Sequence, residues 1–143
     1  MQAGRGQPAA RCESVEEHGR CVLWGPSLVE LISRPELYDE KPVRVIGFVN
    51  LEFEGNGLYL HEDDWQHSIY RNGIWIDPPL GIDPDSGGTN MPVNRQYVLV
   101  EGVFDANNHG HMGMWSGALH NVTRFEPWDR NEAPIQVPGL PPQ

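Results

Sequence analysis

The pattern of apolar and polar residues changes its period once along this chain. Before residue 38 the apolar side chains are spaced as on a helix, with Leu28, Leu31 and Ile32 on one stripe. Ser27 immediately precedes this stripe and forms a capping-box pattern with Glu30, in which the serine hydroxyl accepts from the Glu30 amide. The sequence therefore predicts an N-terminal helix capped by Ser27, and predicts that it is the first regular element.

From residue 43 the period becomes two, as in a β-strand. The alternation predicts strands over residues 43–53, 58–61, 74–77, 97–105 and 118–126. Gly47 in the first strand and Gly102 in the fourth stand where strands bend around a barrel. The predicted fold is therefore mainly β, a small closed five-stranded barrel.

The segments between the strands complete this picture. Trp65 and Ile69 are one helical turn apart in the polar segment 62–71, which predicts a short helix between strands 2 and 3. Residues 77–95 lack periodicity, and a loop of that length is usually functional or mobile. The predicted organisation is a flexible leader over 1–26, a barrel domain over 27–128 and a Pro-rich tail over 129–143.

The charge of the chain limits the choice of partner. It has 20 acidic and 10 basic residues, a net charge of −10, and its basic residues are scattered. Such a surface repels phosphate backbones, so nucleic acid is disfavoured and a basic protein or peptide is the predicted partner. The sequence contains no apolar run long enough for a transmembrane helix and no cofactor motif, so no cofactor is predicted.

Two cysteines, Cys12 and Cys21, lie in the predicted leader. A disulfide between them would close a short loop, contribute roughly 2–3 kcal/mol and imply an oxidising compartment. The alternative is two reduced thiols in a flexible segment. We expect a soluble protein, located in the periplasm or cell envelope if a signal has been removed, or otherwise in the cytoplasm.

Three segments carry a resemblance to a known fold: YDEKPVRVIGFV at 38–49, YVLVEGVFD at 97–105 and NVTR at 121–124. With them the chain resembles small stand-alone bacterial OB-fold proteins, barrels of the tRNA-anticodon-binding type. The resemblance implies an OB-like Greek-key barrel whose ligands bind to strands 2 and 3 and to the loops between strands 1 and 2 and strands 4 and 5. It implies no particular activity, because such barrels host many functions.

In that topology the loops 53–57 and 107–115 meet at one rim of the barrel. The predicted partner-binding residues are Phe53, Glu54, Asn56, Tyr59, His61, Trp75, His109, His111, Met112 and Trp115. We expect a non-catalytic module that binds a protein or peptide, including an inhibitory or protective role against a cationic enzyme. Alternatively, the aromatic face stacks oligonucleotide bases or sugars, at roughly 1–3 kcal/mol per stacked base. In a third interpretation Trp75 and Trp115 pack beneath the loops.

His109 and His111 suggest a further alternative, a metal-dependent enzyme. Two imidazoles one residue apart can share a metal ion, with His61 or Asp105 as a third ligand. Such a pair in a Gly-rich loop more often hydrogen-bonds within the loop. No complete catalytic constellation is recognisable, so the sequence predicts a protein that is not an enzyme.

Overall fold

The computed structural model describes residues 9–79 and 93–129, which contain seven strands and two short α-helices. In chain order they are β1 (Cys12–Val15), β2 (Cys21–Trp24), α1 (Leu28–Ser33), β3 (Pro42–Asn50), β4 (Gly57–Tyr59), α2 (Glu62–Gln66), β5 (Gly73–Ile76), β6 (Gln96–Asp105) and β7 (Ala118–Pro127). Short 3-10 turns lie at Pro35–Leu37, Tyr70–Asn72 and His111–Gly113. The start of the predicted leader, the centre of the 77–95 loop and nearly all of the Pro-rich tail lie outside the described residues.

The strands β3 to β7 close into a barrel, which confirms the mainly β prediction. β3 pairs antiparallel with β4 and β6, β4 with β5, and β6 with β7, while β5 and β7 pair in parallel. The first barrel strand ends at Asn50, earlier than the predicted residue 53. The reason is that the backbone of Leu51 bonds to the side chain of Asn94, which donates to its carbonyl and accepts from its N–H over 3.0 and 2.8 Å.

The two predicted bend glycines stand at close contacts within the barrel. A Cβ on Gly47 would lie 2.7 Å from Leu28 Cδ1 and 2.8 Å from the carbonyl oxygen of Tyr59, so glycine admits α1 and β4 at this distance. The β6–β7 ladder changes register between Glu101 and Val103, at Gly102. Such an irregularity bends a strand, as the sequence predicted for this position.

Side chains from the strands and α1 fill the interior of the barrel. The fully buried members include Val43, Val45, Val49, Leu58, Ile74, Ile76, Val98, Val100, Phe104 and Leu119. Leu28 and Leu31 of α1 are buried with them, and the predicted capping box is present, with Glu30 N donating to Ser27 Oγ over 3.1 Å. Because side chains occupy the interior of this small barrel, the surfaces that remain accessible to a ligand are its rim and its outer face.

The N-terminal hairpin corrects the expectation that the first regular element begins at Ser27. β1 and β2 pair antiparallel, and the Sγ atoms of Cys12 and Cys21 join them as a disulfide with an S–S distance of 2.10 Å. β2 extends the barrel sheet through a parallel bridge between Trp24 and Val43. The sequence pattern missed this hairpin because all residues of β1 are exposed and show no apolar alternation.

α2 lies between β4 and β5, and its side chains contact the outer face of β3. Trp65 packs against Phe48 with ring centroids 5.7 Å apart, and the guanidinium of Arg95 lies 5.1 Å from the centroid of the Trp65 ring. The buried carboxylate of Asp64 accepts from the backbone N–H of His61 over 3.2 Å. Neither this helix nor any other described one has the length and apolar composition to cross a bilayer.

Candidate functional site

An open groove of about 470 Å³ lies at one rim of the barrel. Three segments form it: the β3–β4 loop, the end of β5 with the residues after it, and the β6–β7 loop. Its lining residues are Glu52, Phe53, Glu54, Asn56, Trp75, Pro78, Asn108, Gly110 and His111. The two loops that were predicted to share a rim therefore meet across one groove.

Two buried asparagines hold the β3–β4 loop in shape. Asn56 Oδ1 accepts from the backbone N–H of Glu52 over 3.0 Å, while Asn50 Nδ2 donates to Glu52 Oε1 over 2.8 Å. Glu54 has a φ of +57°, a turn conformation, and its side chain is 51% exposed. Asn56, one of the predicted binding residues, therefore shapes the loop, while Phe53 at 67% exposure presents its ring to solvent.

The β6–β7 loop is held against Trp75. Gly110 has a φ of +71°, and a Cβ there would lie 2.7 Å from Trp75 Cβ, so glycine is required by both conformation and space. Asn108 Oδ1 accepts from the backbone N–H of Gly110 over 2.9 Å, and a ring nitrogen of His109 lies 2.8 Å from the carbonyl oxygen of Trp115. His111 Nε2 is thereby placed 3.2 Å from Glu54 Oε2 on the opposite loop.

An aromatic layer lies beneath the β6–β7 loop on the outer face of β4 and β5. The ring of Tyr59 covers the neighbouring strand positions Gly57 and Gly73, where a Cβ would lie 2.5 and 2.7 Å from it. Trp115 folds over this ring, donates from Nε1 to Tyr59 Oη over 3.2 Å and contacts Trp75 edge-on at 5.0 Å. The chain's own loop therefore covers the face that was predicted as a stacking platform.

The structure separates the predicted binding residues into three groups. Phe53, Glu54, Asn56, Trp75 and His111 line the groove. Tyr59 and Trp115 are buried, with 1% and 0% exposure. The burial of Trp115 agrees with the interpretation that it packs beneath the loop.

The remaining predicted residues lie outside the groove. His109 bonds to Trp115, His61 stands at the start of α2, and Met112, at 79% exposure, faces a second depression beside Ile69 and Tyr70. Among the residues lining the groove, Pro78 had no signal in the sequence beyond its place at the end of a strand.

The two histidines of the β6–β7 loop do not form a metal centre with a third ligand among the described residues. Within residues 9–79 and 93–129, only Asp39, Glu40 and Asp105 bring three such ligand atoms within 4.8 Å of one another. Two of these carboxylates already accept backbone hydrogen bonds, Asp39 from Ala106 and Asp105 from Asn107, over 2.8 and 2.9 Å. These acids therefore position the start of the loop that carries His109 and His111.

Burial of the aromatic layer gives the protein a predicted sensitivity to alkali. Desolvation raises the pKa of Tyr59 from 10.0 to about 12, although the hydrogen bond from Trp115 opposes the shift. As the pH rises, Tyr59 therefore ionises in the unfolded chain before it does so in the folded protein. Its contribution to the free energy of unfolding is fully present below pH 10 and is lost as the pH rises towards 12. Between about pH 9 and pH 11 we expect a loss of about 1 kcal/mol from this residue.

Urea unfolding of the wild type and of Tyr59→Phe at several pH values tests this expectation. The variant is less stable at about pH 9, because the indole N–H of Trp115 loses its buried acceptor at a cost of about 1–3 kcal/mol. The difference in the free energy of unfolding between the wild type and the variant should decrease as the pH rises. A difference that stays constant would show that Tyr59 ionises at the same pH in the folded and unfolded chains.

The charges in the groove are predominantly negative. Glu52 and Glu54 contribute carboxylates from one loop, and Asp77, which accepts from the indole N–H of Trp75 over 3.0 Å, adds a third beside it. His111 lines the opposite side of the groove and contacts Glu54. The arrangement favours a cationic group flanked by apolar surface.

The sequence matches no protein-family model, and comparisons with curated proteins and with solved structures found no similar protein.

Proposed function

We propose that this protein is a non-catalytic binding module whose rim groove binds a basic segment of a protein or peptide. One observation carries the proposal: the groove combines the carboxylates of Glu52 and Glu54 with the exposed ring of Phe53 and the edge of Trp75. A lysine or arginine side chain fits such a surface, because its head can pair with a carboxylate while its stem covers apolar rings. An inhibitory action on a cationic enzyme is one form of this function.

The path of the strands supports an OB-like Greek-key classification. The barrel order β3-β4-β5-β7-β6, with its first and last strands paired and a parallel contact between β5 and β7, is the order expected of such a barrel. In that classification the β3–β4 and β6–β7 loops correspond to the two loops that commonly bind ligands. The groove lies between these loops.

A protein partner accounts for the covered aromatic face better than an oligonucleotide or an oligosaccharide does. Stacking a base or sugar on Tyr59 would require Trp115 to leave its position, since both side chains are buried. The net charge of −10 further opposes a polyanion. Salt-sensitive binding of single-stranded DNA at low ionic strength would reverse this preference.

The charge-removing double variant Glu52→Gln/Glu54→Gln should weaken the binding of a basic peptide by about tenfold, as expected from the loss of two exposed ion pairs. The probe is an acetylated, amidated hexapeptide of alternating arginine and leucine. Its affinity is measured by NMR titration of the ¹⁵N-labelled protein. Resonances of Phe53, Glu54 and the Trp75 indole N–H should shift, while the indole N–H of the exposed Trp128 should not.

A matched variant separates the groove from the overall charge. Glu17→Gln/Glu36→Gln removes the same charge from exposed positions that do not line the groove, and it should retain most of the affinity. A peptide with glutamine in place of arginine should not bind. Equal losses in both double variants, or shifts spread over the whole surface, would indicate non-specific attraction and contradict a binding site at the rim.

A further inference from the structure

The contact between His111 and Glu54 is the only described ion pair that joins the two loops across the groove. His111 Nε2 and Glu54 Oε2 are 3.2 Å apart, and the side chains remain 36% and 51% exposed. Neither side chain is locked by burial, so the pair can open without disturbing the core. The imidazole of His111 thus lies beside the carboxylate of Glu54, the group with which a basic partner would pair under the proposed function.

We propose that His111 acts as a resident cation, which the cationic side chain of a partner must displace from Glu54. This inference rests on the proposed function and adds a regulation of the same site by pH. Histidine gains its charge between about pH 8 and pH 5. When charged, it neutralises Glu54 and repels an incoming guanidinium or ammonium; when neutral, it leaves the carboxylate available.

The surroundings of the pair determine the sign of the effect. The charged group in contact with His111 is Glu54. Glu52 lines the same groove, and Asp77 after β5 accepts from the indole N–H of Trp75, which also lines it. On its own loop, His109 has one ring nitrogen 2.8 Å from the carbonyl oxygen of Trp115, and Asp105 accepts from Asn107. Because the contacting group is a carboxylate, protonation of His111 strengthens its contact with Glu54, and partner binding weakens as the pH falls.

The contact also contributes to specificity. A neutral apolar segment gains nothing from displacing an imidazolium from a carboxylate, since it leaves both charges without a partner. An arginine or lysine side chain replaces one ion pair with another, so the cost is only the difference in free energy between the two ion pairs. His111 thus favours partners that carry a cation over those that offer apolar surface alone.

The test measures binding of the arginine–leucine hexapeptide at about pH 5.5 and pH 7.5, a range in which arginine keeps its charge. The wild type should bind about two- to fivefold more tightly at the higher pH, the range expected for an exposed ion pair. His111→Gln should bind equally at both pH values. Glu54→Gln should bind weakly at both.

A histidine outside the groove provides the matched control. His18 lies exposed in the turn between β1 and β2, so His18→Gln should keep the full pH dependence. Binding that is independent of pH in the wild type, or that keeps its pH dependence in His111→Gln, overturns the resident-cation proposal while groove binding stands. Failure of the peptide to bind any of the proteins at either pH overturns the groove function itself, and this inference with it.

Discussion

Replacing Trp115 with alanine is expected to lower the free energy of unfolding by about 3–5 kcal/mol, the usual cost of removing a buried aromatic side chain. Trp115 is 0% exposed and contacts Tyr70 and Trp75 edge-on, each at 5.0 Å between centroids. Its loss leaves a cavity and removes the hydrogen bond to Tyr59. Urea unfolding followed by circular dichroism measures the change.

The same substitution should also weaken binding at the groove, because the loop that carries His111 is held against the barrel through Trp115. Trp128→Ala is the matched control: Trp128 is 47% exposed, so its removal should cost less than about 1 kcal/mol. If the two variants had similar stability, Trp115 would not be a packed part of the fold. The predicted ligand face would then be open in solution.

Removal of the disulfide is expected to destabilise the protein by about 2–3 kcal/mol, since Cys12 and Cys21 are separated by 9 positions and the bond restricts the unfolded chain. The double variant Cys12→Ser/Cys21→Ser avoids an unpaired thiol. Because the cysteines join β1 to β2, hydrogen exchange should increase first in this hairpin and only slightly in β3 to β7. Thermal and urea unfolding give the size of the loss.

Reduction of the wild-type protein provides an independent control. Dithiothreitol should lower the stability of the wild type to that of the serine variant, and should leave the serine variant unchanged. An intact mass two hydrogens below that of the reduced chain verifies the bond before the comparison. Equal stability of oxidised, reduced and serine proteins would contradict a stabilising role for the hairpin cross-link.

Features that depend on neighbouring residues were predicted correctly, whereas features that depend on distant residues were not. The alternation after residue 43 located all five barrel strands, because a half-buried strand has to alternate its side chains between core and solvent. The end of β3 was misplaced because Leu51 bonds to Asn94, more than forty positions later in the chain. The β1–β2 hairpin was missed because β1 is exposed along its whole length, and neither its pairing with β2, nor the disulfide, nor the bridge to Val43 leaves a periodic apolar pattern.

The candidate site shows the same division between what a local sequence pattern predicts and what packing between distant residues determines. The resemblance to OB-fold barrels implied that two loops rich in aromatic, acidic and histidine residues share a rim, and five of the ten predicted residues line the groove there. It could not indicate that Tyr59 lies flat over Gly57 and Gly73 and that Trp115 covers it. Period-two alternation assigns a residue to a face of a strand, but it carries no information about what packs on that face.

The amino-acid pattern is sufficient to predict the capped helix, the alternating strands, the turn residues and a strongly acidic surface. These follow from interactions between neighbouring residues and from composition. Tertiary contacts establish which carboxylate faces His111, which tryptophans are buried and where a groove remains open. These features depend on residues that are distant in sequence and become neighbours when the barrel closes, so no local pattern encodes them.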